Sequence, residues 1–473
     1  MNFILNRVHR SAAAWSFFAT LLRVGANIFV LPFILRQLPA EQFGVWQVFI
    51  GIGGLTALLD FGFENTITRM TSYAWGGASK FVAFGIHLDE AAAKDRPPNL
   101  PLLNDLIATV RAYYFYAGLA VLALLVIGGE GWIWFVTRHL EGANSVRLAW
   151  LVFAAGCWLN FIVGRWPALL SGIGAVREAQ VASILSLIVY YIVVSAMLFA
   201  GWGIWAMVLA SVIMGFVARH YGKRFFVERA GLPGGLPRAR FHRDIFLTTW
   251  PNAWRSGLVS LGSFFTVQAN TLICSLFLSL TVTGAYGLAF QLVNLLFSLC
   301  YVWLTVKLPV INTLRVQGRN AEITELFARR LRLSLLSYLA GAVVIVFAAP
   351  VVLHWLKSNT SLIAVGPLSA LVFIRFLELH QSLYAVLVQT ENHNPFVKPS
   401  LISGVAIVAV SLGLMYFWGN SLGVWGLLLS TGLVQLAYND WWPVLRGVRG
   451  LGWKPRVFLV HHYLRPKAWL ELF

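Results

Sequence analysis

Long apolar runs alternate with short polar segments along the whole chain. Each run has about twenty residues, which is the length that an α-helix needs to cross a lipid bilayer. A transmembrane β-barrel would instead show short segments in which polarity alternates from one residue to the next. The pattern therefore predicts an all-α polytopic membrane protein with about twelve transmembrane helices. The predicted spans are 12–35, 43–64, 106–129, 147–170, 178–200, 202–221, 246–277, 284–307, 330–355, 362–388, 399–418 and 421–445.

Two polar segments are longer than the others. The first, 65–105, contains the sequence KDRPP, and the second, 222–244, is rich in glycine, proline and arginine and lies near the middle of the chain. The second segment indicates a linker between two halves. We expect an N-terminal six-helix bundle at 1–221, a basic linker at 222–244, a C-terminal six-helix bundle at 245–445 and a basic tail at 446–473.

Weak internal similarity supports this division. A shift of 243 positions places ANIFVLPFILRQLPAEQFG, at 26–44, on ANTLICSLFLSLTVTGAYG, at 269–287. A shift of 220 positions places the sequence GIW, at 203–205, on GVW, at 423–425. Because the first span of each half is predicted to start on the same side of the membrane, the two halves are expected to be parallel repeats that arose by duplication.

Composition excludes an ordinary soluble protein. The chain is 59% hydrophobic and 11% charged, whereas soluble domains carry about 25% charged residues. The net charge of +18 is typical of nucleic-acid binding, but the positive-inside rule accounts for it better. Only four of the 36 Lys and Arg residues are assigned to external connections: Arg36, Arg138, Arg147 and Lys357. We therefore expect both termini in the cytoplasm and no nucleic-acid partner.

The sequence contains no pattern that indicates a cofactor or a metal site. The cysteines Cys157, Cys274 and Cys300 lie inside predicted spans, without the spacing of a metal site or a disulfide framework. The sequences G-x-x-x-x-G-K-[ST] and H-E-x-x-H are absent, so neither an ATP-binding P-loop nor a zinc-hydrolase helix is expected. Transport without an ATPase would be secondary transport.

A polar stripe runs along the first predicted span. Its members are spaced by four, three and four residues, which places them on one helix face: Ser16, Thr20, Arg23 and Asn27. Arg23 lies about 16 Å into the span, where an arginine is costly unless it faces an interior or a water-filled cavity. An aqueous path is one interpretation, and a single buried arginine bound to carbonyls or to an acid is the alternative.

Spans 7 and 10 carry further polar groups. Span 7 includes Arg255, Thr266 and Asn270, and the depth of Arg255 depends on how the span is aligned. Span 10 has Arg375 near its middle, with Glu378 three residues later. This pair either lines a cavity or simply neutralises itself. Because arginine binds phosphate through two donors and amides suit sugars, these groups together predict an anionic, oxygen-rich ligand.

Several charged residues lie near the predicted cytoplasmic ends of spans. Asp60 is about 25 Å along the second span, and Glu64 and Arg69 follow at near-helical spacing. They form either an interfacial helix cap or a proton or cation coupling site at an inner gate. The tripeptide DFG that starts at Asp60 does not indicate a kinase, because no glycine-rich or catalytic loop accompanies it. We expect Arg165 and Lys307 to snorkel to the interface.

The segment LPAEQFGVWQVFIGIGGLTALLDFGFENTITRMTSYAWGG, at 38–77, resembles the Wzx-type O-antigen and capsule flippases. These are polysaccharide transporters of the multidrug/oligosaccharidyl-lipid/polysaccharide exporter superfamily. The resemblance implies a MATE-like, V-shaped pair of six-helix bundles that works by alternating access, and a transporter rather than an enzyme. The implied activity is the flipping of undecaprenyl-pyrophosphate-linked oligosaccharide across the bacterial inner membrane, for surface polysaccharide biosynthesis.

The resemblance also implies roles for residues and partners. A cationic lumen would bind the pyrophosphate or acidic sugars, a role that Arg23 and Arg375 would match. The substrate-binding candidates are Arg23, Asn27, Arg255, Thr266, Asn270 and Arg375, and the candidates for coupling to a proton or sodium gradient are Asp60, Glu64 and Glu378. The expected partners are the lipid-linked oligosaccharide, membrane lipids, a polysaccharide polymerase and a chain-length regulator.

Other functions also fit a polytopic membrane protein. An ion-coupled multidrug exporter of the same fold would need acids in an otherwise apolar cavity, and the sequence shows more arginine than acid at midplane depth. An integral-membrane polysaccharide polymerase or ligase would need catalytic residues on substantial external loops, and the predicted external connections are short. A structural scaffold would not need arginines near the midplane.

Overall fold

The computed structural model describes residues 22, 25, 30–81, 97–232, 235–391 and 395–459. These residues form helices joined by short turns, and no strand occurs among them. The numbered helices are α1 (Ala40–Gly53), α2 (Thr56–Leu59), α3 (Phe63–Trp75), α4 (Leu100–Ala123), α5 (Glu130–Thr137), α6 (Ala143–Val163), α7 (Arg165–Gly172), α8 (Val176–Phe199), α9 (Ile204–Ala230), α10 (Arg243–Val267), α11 (Ala269–Phe277), α12 (Leu280–Thr305), α13 (Leu308–Val316), α14 (Asn320–Val343), α15 (Ala349–Trp355), α16 (Val365–Gln389), α17 (Val397–Leu422), α18 (Val424–Val434), α19 (Trp442–Gly450) and α20 (Pro455–Leu459). Short π-helical segments lie at Leu124–Gly129, Val344–Ala348 and Gln435–Asn439.

Eight helical segments in the described part of the chain are long and apolar enough to cross a membrane. They are Leu100–Thr137, Ala143–Gly172, Val176–Phe199, Ile204–Ala230, Leu280–Arg315, Asn320–Trp355, Val365–Gln389 and Val397–Leu422. Helices α10 and α11, bent by 41° at the break between them, make a ninth if they count as one span. The predicted all-α polytopic membrane fold is confirmed. Of the remaining predicted spans, 12–35 lies mostly outside the described residues, and 43–64 and 421–445 are divided into shorter helices.

The described residues pack as two compact units. Unit 1 contains those of 1–38 and 48–264, and unit 2 contains those of 39–47 and 265–473. In unit 1, α9 packs against both α6 and α8, and α3 packs against α7. In unit 2, α12 packs against α14 and α16, and α17 packs against α18. The predicted division into two six-helix bundles at the 222–244 linker stays a prediction, since these units have other bounds.

One reason for the bounds of unit 1 is that the second half of the predicted linker packs along α4. The backbone N–H of Arg240 donates to the carbonyl of Ala108 at 3.2 Å. The imidazole of His242 lies 3.7 Å from a carboxylate oxygen of Asp105. These contacts hold the start of α10 on unit 1, which therefore extends to Phe264.

A π-helical turn in unit 1 is matched to a buried tryptophan. Such a turn shifts the backbone hydrogen-bond register and leaves a carbonyl without its usual partner. Trp150, which is fully buried, donates its indole N–H to the carbonyl of Leu125 at 3.1 Å. Gly129 lies against the same indole, where any Cβ would overlap the ring. The irregular turn thus gives the indole both a hydrogen-bond acceptor and space.

Within unit 2, the first part of α1 crosses α12 at a contact made of glycines. A Cβ on Gly44 would overlap the carbonyl of Leu280, and a Cβ on Gly287 would lie 2.7 Å from the amide carbon of Gln47. Side chains at either position would separate the two helices. Gly44 and Gly287 are also matched residues in the repeat alignment, so the alignment pairs two glycines with the same packing role.

The second repeat match has the same backbone conformation in both places. Gly203 has φ 55° and ψ −134°, and Gly423 has φ 51° and ψ −131°. This region of φ and ψ is accessible almost only to glycine. Each glycine directly precedes a helix, α9 or α18, and a tryptophan follows two residues later. The short sequence match therefore marks the same helix start in both halves of the chain.

Candidate functional site

A buried arginine of unit 2, Arg375 on α16, forms an ion pair. Its side chain is 5% exposed. One terminal nitrogen donates to Glu378 Oε2 at 2.5 Å, and the other donates to Asn294 Oδ1 at 2.7 Å. The guanidinium carbon lies 4.5 Å from the ring centre of Phe297 and 5.3 Å from that of Phe290. The arginine is therefore held by an acid, an amide and two aromatic rings.

Arg375 and Glu378 neutralise each other's charge in a buried ion pair. The sequence left open whether the two residues line a cavity or form such a pair, and the pair is the simpler alternative. Glu378 is only 12% exposed, so each charge depends on the other. Removing one partner of such a pair costs about 3–5 kcal/mol, because the other charge stays buried without compensation. Nε of Arg375 has no hydrogen-bond acceptor among the described residues, so the site retains one unused donor.

A second acid lies near this pair. Asp440, half-buried just after the π-helical segment Gln435–Asn439, is close enough to Glu378 for their charges to interact. Its Oδ1 has no partner among the described residues. Sequence reasoning missed Asp440, although an acid inside the predicted span 421–445 was itself a signal. With both acids ionised, the three side chains carry a net charge of −1.

Asn270 on α11 is committed to contacts within unit 2. Its Oδ1 accepts from the hydroxyl of Ser411 at 2.9 Å, and its Nδ2 donates to the carbonyl of Leu427 at 3.1 Å and to Thr431 Oγ1 at 2.7 Å. Both amide hydrogens are therefore used to join α11 to α18. The buried Tyr286 interacts with Asn270 and also with Arg375, and it is a link between them that sequence reasoning missed.

The remaining substrate-binding candidates are Arg23, Asn27, Arg255 and Thr266. Arg23 and Asn27 lie outside the described residues, so their roles stay predictions. Arg255 is exposed on α10 in unit 1, with its guanidinium carbon 5.8 Å from the ring centre of Trp254. Thr266 is half-buried and belongs to unit 2.

Asp60 in unit 1 ends α2 and caps the next helix. Its Oδ2 accepts from the backbone N–H of Glu64 at 3.2 Å, and its Oδ1 accepts from the hydroxyl of Tyr114 at 2.6 Å. Glu64 and Arg69 are exposed. This geometry is that of the helix cap, the first of the two alternatives for Asp60. The coupling role of Asp60 and Glu64 stays a prediction.

The chain changes direction directly after Asp60. Phe61 has φ +48° and Gly62 has φ +66°, so two successive residues adopt the left-handed region between α2 and α3. Phe61 packs against Gly257 of α10, where no Cβ would fit. The next residue after the turn, Phe63, stacks on Tyr113 with ring centres 4.0 Å apart. An aromatic contact therefore holds the strained turn.

Arg165 is buried, which contradicts the expectation from the sequence. The residue was expected to snorkel to the interface, but it is 7% exposed at the start of α7. Its guanidinium carbon lies 4.9 Å from the ring centre of Trp166, which is buried against Phe226 and Gly222. Packing of α7 on α9 therefore covers the arginine, whereas Lys307 remains half-buried.

The described residues contain no group of three His, Cys, Asp or Glu side chains that could hold a metal ion. Cys157, Cys274 and Cys300 are free thiols in the structure. The polar chemistry of the described residues is thus carried by ion pairs, amides and hydroxyls.

Comparison with solved structures places this arrangement in a known fold. An inward-facing MATE multidrug-resistance transporter of the MOP superfamily matches with a TM-score of 0.68 at 13% identity, over 93% of this chain and 99% of that chain. The lipid II flippase MurJ, in an inward closed conformation, matches with a TM-score of 0.63 at 11% identity, over 98% and 91%. The chain has the fold of the MOP superfamily transporters.

A third structure with the MOP fold, a transporter from Pyrococcus furiosus described as having a binding pocket of reverse polarity, matches with a TM-score of 0.59 at 15% identity over 94% of this chain and 97% of that chain. No protein-family model and no curated protein sequence matches the chain. At these identities the likeness is one of fold, and the fold agrees with the predicted MATE-like architecture.

Proposed function

We propose that this membrane protein is a secondary transporter that flips an anionic lipid-linked oligosaccharide across the bacterial inner membrane. The cargo is undecaprenyl-pyrophosphate-linked, the pathway is surface polysaccharide biosynthesis, and both termini are cytoplasmic. The protein moves its cargo without covalent chemistry. A polysaccharide polymerase and a chain-length regulator are the partners that would use the exported repeat unit. The MOP fold, which the lipid II flippase MurJ shares, supports the proposal.

The observation that carries the proposal is the buried Arg375. A cation in the interior of a membrane protein is expensive and marks a substrate or ion pathway. Its two terminal nitrogens are directed to oxygen acceptors, Glu378 and Asn294. A diphosphate also offers oxygen acceptors, and arginine binds phosphate through paired donors. The site therefore suits the charged part of the cargo.

Phosphate binding at Arg375 competes with Glu378. While the ion pair is closed, an anion has to displace a carboxylate that lies 2.5 Å from the guanidinium. A bound proton would neutralise Glu378 and remove that competitor. Binding of cargo and binding of a proton would then be linked at one site. Glu378 and Asp440 are the coupling groups that follow from this arrangement, with Asp60 and Glu64 as further candidates.

The second candidate function is ion-coupled export of cationic drugs. Its support is the net charge of −1 on Arg375, Glu378 and Asp440 when both acids are ionised, because a cation pathway needs acids in a buried site. A multidrug-resistance transporter also shares the fold. The two functions differ in the sign of the charge that the site must bind.

Replacing Arg375 tests the proposal. In cells that make the variant in place of the native protein, Arg375→Gln is expected to lower surface polysaccharide at least about tenfold, because the paired donors for phosphate are lost. Arg375→Lys is expected to restore part of the export. The membrane level of each variant is measured alongside, since a buried pair broken on one side also loses stability.

The matched control is Arg319→Gln. Arg319 also pairs with an acid three residues later, Glu322, but both side chains are about half exposed, at 53% and 49%. Exposed pairs contribute little, so export is expected to be unchanged in this variant. Normal export by Arg375→Gln at a normal membrane level would refute the assignment of cargo binding to Arg375.

A further inference from the structure

Arg165 is a buried cation whose surroundings are basic. It lies at the start of α7 and is 7% exposed. Its Nε has no hydrogen-bond acceptor among the described residues, and none of their acids forms a salt bridge with it. Arg375, which is buried to the same degree, has both an acid and an amide. The two arginines thus have opposite electrostatic surroundings.

Two further arginines approach Arg165 from neighbouring helices. Gly222 of α9 meets the side chain of Trp166 so closely that a Cβ would lie 2.8 Å from it. Arg219 is three residues earlier on α9, so it shares this face and lies one turn along it. The charges of Arg219 and Arg165 interact. Arg219 is exposed, so this side of the cluster is open to solutes.

The third arginine comes from α4. The ring of Tyr114 lies 5.2 Å from that of Phe161, in the last turn of α6 before Arg165. Arg111 is one turn before Tyr114 on the same face of α4, and its charge interacts with that of Arg165. One terminal nitrogen of Arg111 donates to the carbonyl of Pro237. Arg111 on α4 and Arg219 on α9 are therefore both close enough to Arg165 on α7 for their charges to interact with it.

A second buried donor accompanies Arg165. The indole N–H of Trp166 is also without an acceptor among the described residues, and this side chain is 1% exposed. Buried donors without partners are rare, and a buried charge without compensation is rarer. Like charges in such a cluster repel one another unless an anion lies between them.

We propose that Arg165, Arg111 and Arg219 form an anion site in unit 1 that binds a phosphate group. Arg165 supplies the buried centre, and Arg219 supplies the open side. Guanidinium groups match phosphate oxygens through paired donors, which makes phosphate the favoured anion over chloride. The phosphate comes either from the headgroup of an anionic phospholipid or from free phosphate or pyrophosphate. The site contains none of the residues assigned to cargo binding, and its test measures binding and not export.

The test uses the purified full-length protein in detergent. Pyrophosphate binding is measured by calorimetry at constant ionic strength, with chloride as the reference anion. Native mass spectrometry after incubation with phosphatidylglycerol measures how many lipids remain bound. Arg165→Gln is expected to weaken pyrophosphate binding about tenfold or more, or to remove one retained lipid, because a charge-assisted contact is lost. Arg165→Lys keeps the charge but not the paired donors and is expected to be intermediate.

The matched control is Arg138→Gln. Arg138 also lies over an aromatic ring, 4.6 Å from the ring centre of Phe135, but it is exposed. This variant removes the same charge and is expected to bind as the native protein does. Arg219→Gln is a second test at an exposed position, where folding is not at risk, and it is expected to weaken binding by a smaller factor.

Thermal unfolding without added anion gives an independent readout. Because Arg165 forms no salt bridge with an acid among the described residues, Arg165→Gln is expected to unfold at the same temperature as the native protein or higher, while pyrophosphate or lipid stabilises it less than the native protein. If Arg165→Gln loses only pyrophosphate binding, free phosphate is the ligand, and if it loses only a retained lipid, the headgroup is the ligand. If neither ligand binds the native protein better than Arg165→Gln, the anion site is refuted.

Discussion

Arg375 and Arg165 show how differently a buried arginine can be compensated. Arg375 is held by Glu378 and Asn294 within hydrogen-bond distance. Arg165 has only an aromatic ring, and its charged neighbours among the described residues are arginines. The first arrangement already pairs both terminal nitrogens, so its ion pair must open to bind a ligand. The second is completed only by an anion from outside.

The competition between Glu378 and an added anion for Arg375 can be measured as a change in anion affinity. Glu378→Gln removes the competing carboxylate but keeps a hydrogen-bond acceptor of the same size. We expect this variant to bind pyrophosphate more tightly than the native protein, by about tenfold, because freeing a charge-assisted contact contributes about 1.5 kcal/mol. The measurement is calorimetric binding at neutral pH.

The control is an acid in an exposed ion pair. Glu322→Gln, in the exposed pair with Arg319, should leave affinity unchanged. Equal affinity in native protein and Glu378→Gln would show that the pair is purely structural.

Asn270 provides a test between packing and ligand binding. Its side chain joins α11 to α17 and α18 through Ser411, Leu427 and Thr431. Asn270→Ala removes these three buried hydrogen bonds and is expected to lower the stability of the purified protein by about 1–3 kcal/mol. Export per folded molecule should be unchanged. A fully stable variant that fails to export would instead support the predicted substrate contact.

At the residue scale, the sequence predicted which residues belong to the site better than it predicted which residues they contact. Arg375 and Glu378 were found from their spacing, and their contact is observed. The partners that come from other helices were not assigned, since nothing in one helix shows which residue of another will face it. Asn294 and Asp440 reach this site from α12 and from the end of the π-helical segment before α19. Arg165 was misjudged for the same reason, because Trp166 and α9 cover it.

At the scale of the helices, the crossing of α1 and α12 depends on glycine at position 44. Gly44→Ala would force its Cβ against the carbonyl of Leu280, which is backbone and cannot rotate away. We expect a loss of at least about 1–3 kcal/mol in stability, measured as a lower thermal midpoint of the purified protein and a lower level in membranes.

Gly131→Ala is the matched control for this substitution. Gly131 is a helical glycine on α5 with nothing within 4 Å of an added Cβ. Alanine has the higher helix propensity, so this variant should be as stable as the native protein or slightly more stable. A neutral Gly44→Ala would mean that the two helices do not approach as closely as the structure shows.

Helix lengths were predicted well where apolar runs are uninterrupted, and less well where backbone turns are short. Predicted spans 3 to 11 have counterparts in the described residues. The predicted span 43–64 divides into α1, α2 and the start of α3, because Phe61 and Gly62 take positive φ within an otherwise apolar run. Hydropathy does not indicate such a turn, and of these two residues only Gly62 has a type that favours it.

At the scale of the whole molecule, the chain keeps the MOP fold with 11 to 15% identity to the solved structures compared. Spans and weak repeats predicted a helical membrane protein in two halves, and the resemblance of the segment 38–77 to the Wzx-type flippases implied the MATE-like fold. The cargo depends on a few side chains in the interior, and the fold alone is shared by a drug transporter and a lipid flippase. Sequence and fold therefore do not distinguish between these two kinds of cargo.

The pool of lipid-linked oligosaccharide in cells that lack the protein tests the flippase assignment most directly. Mass spectrometry of the lipid fraction, with surface polysaccharide assayed in the same cells, is the measurement. We predict that a complete lipid-linked repeat unit accumulates while surface polymer is lost, and that the native protein reverses both changes. An unchanged pool and unchanged polymer, with new sensitivity to cationic drugs, would contradict the flippase assignment and favour the drug exporter.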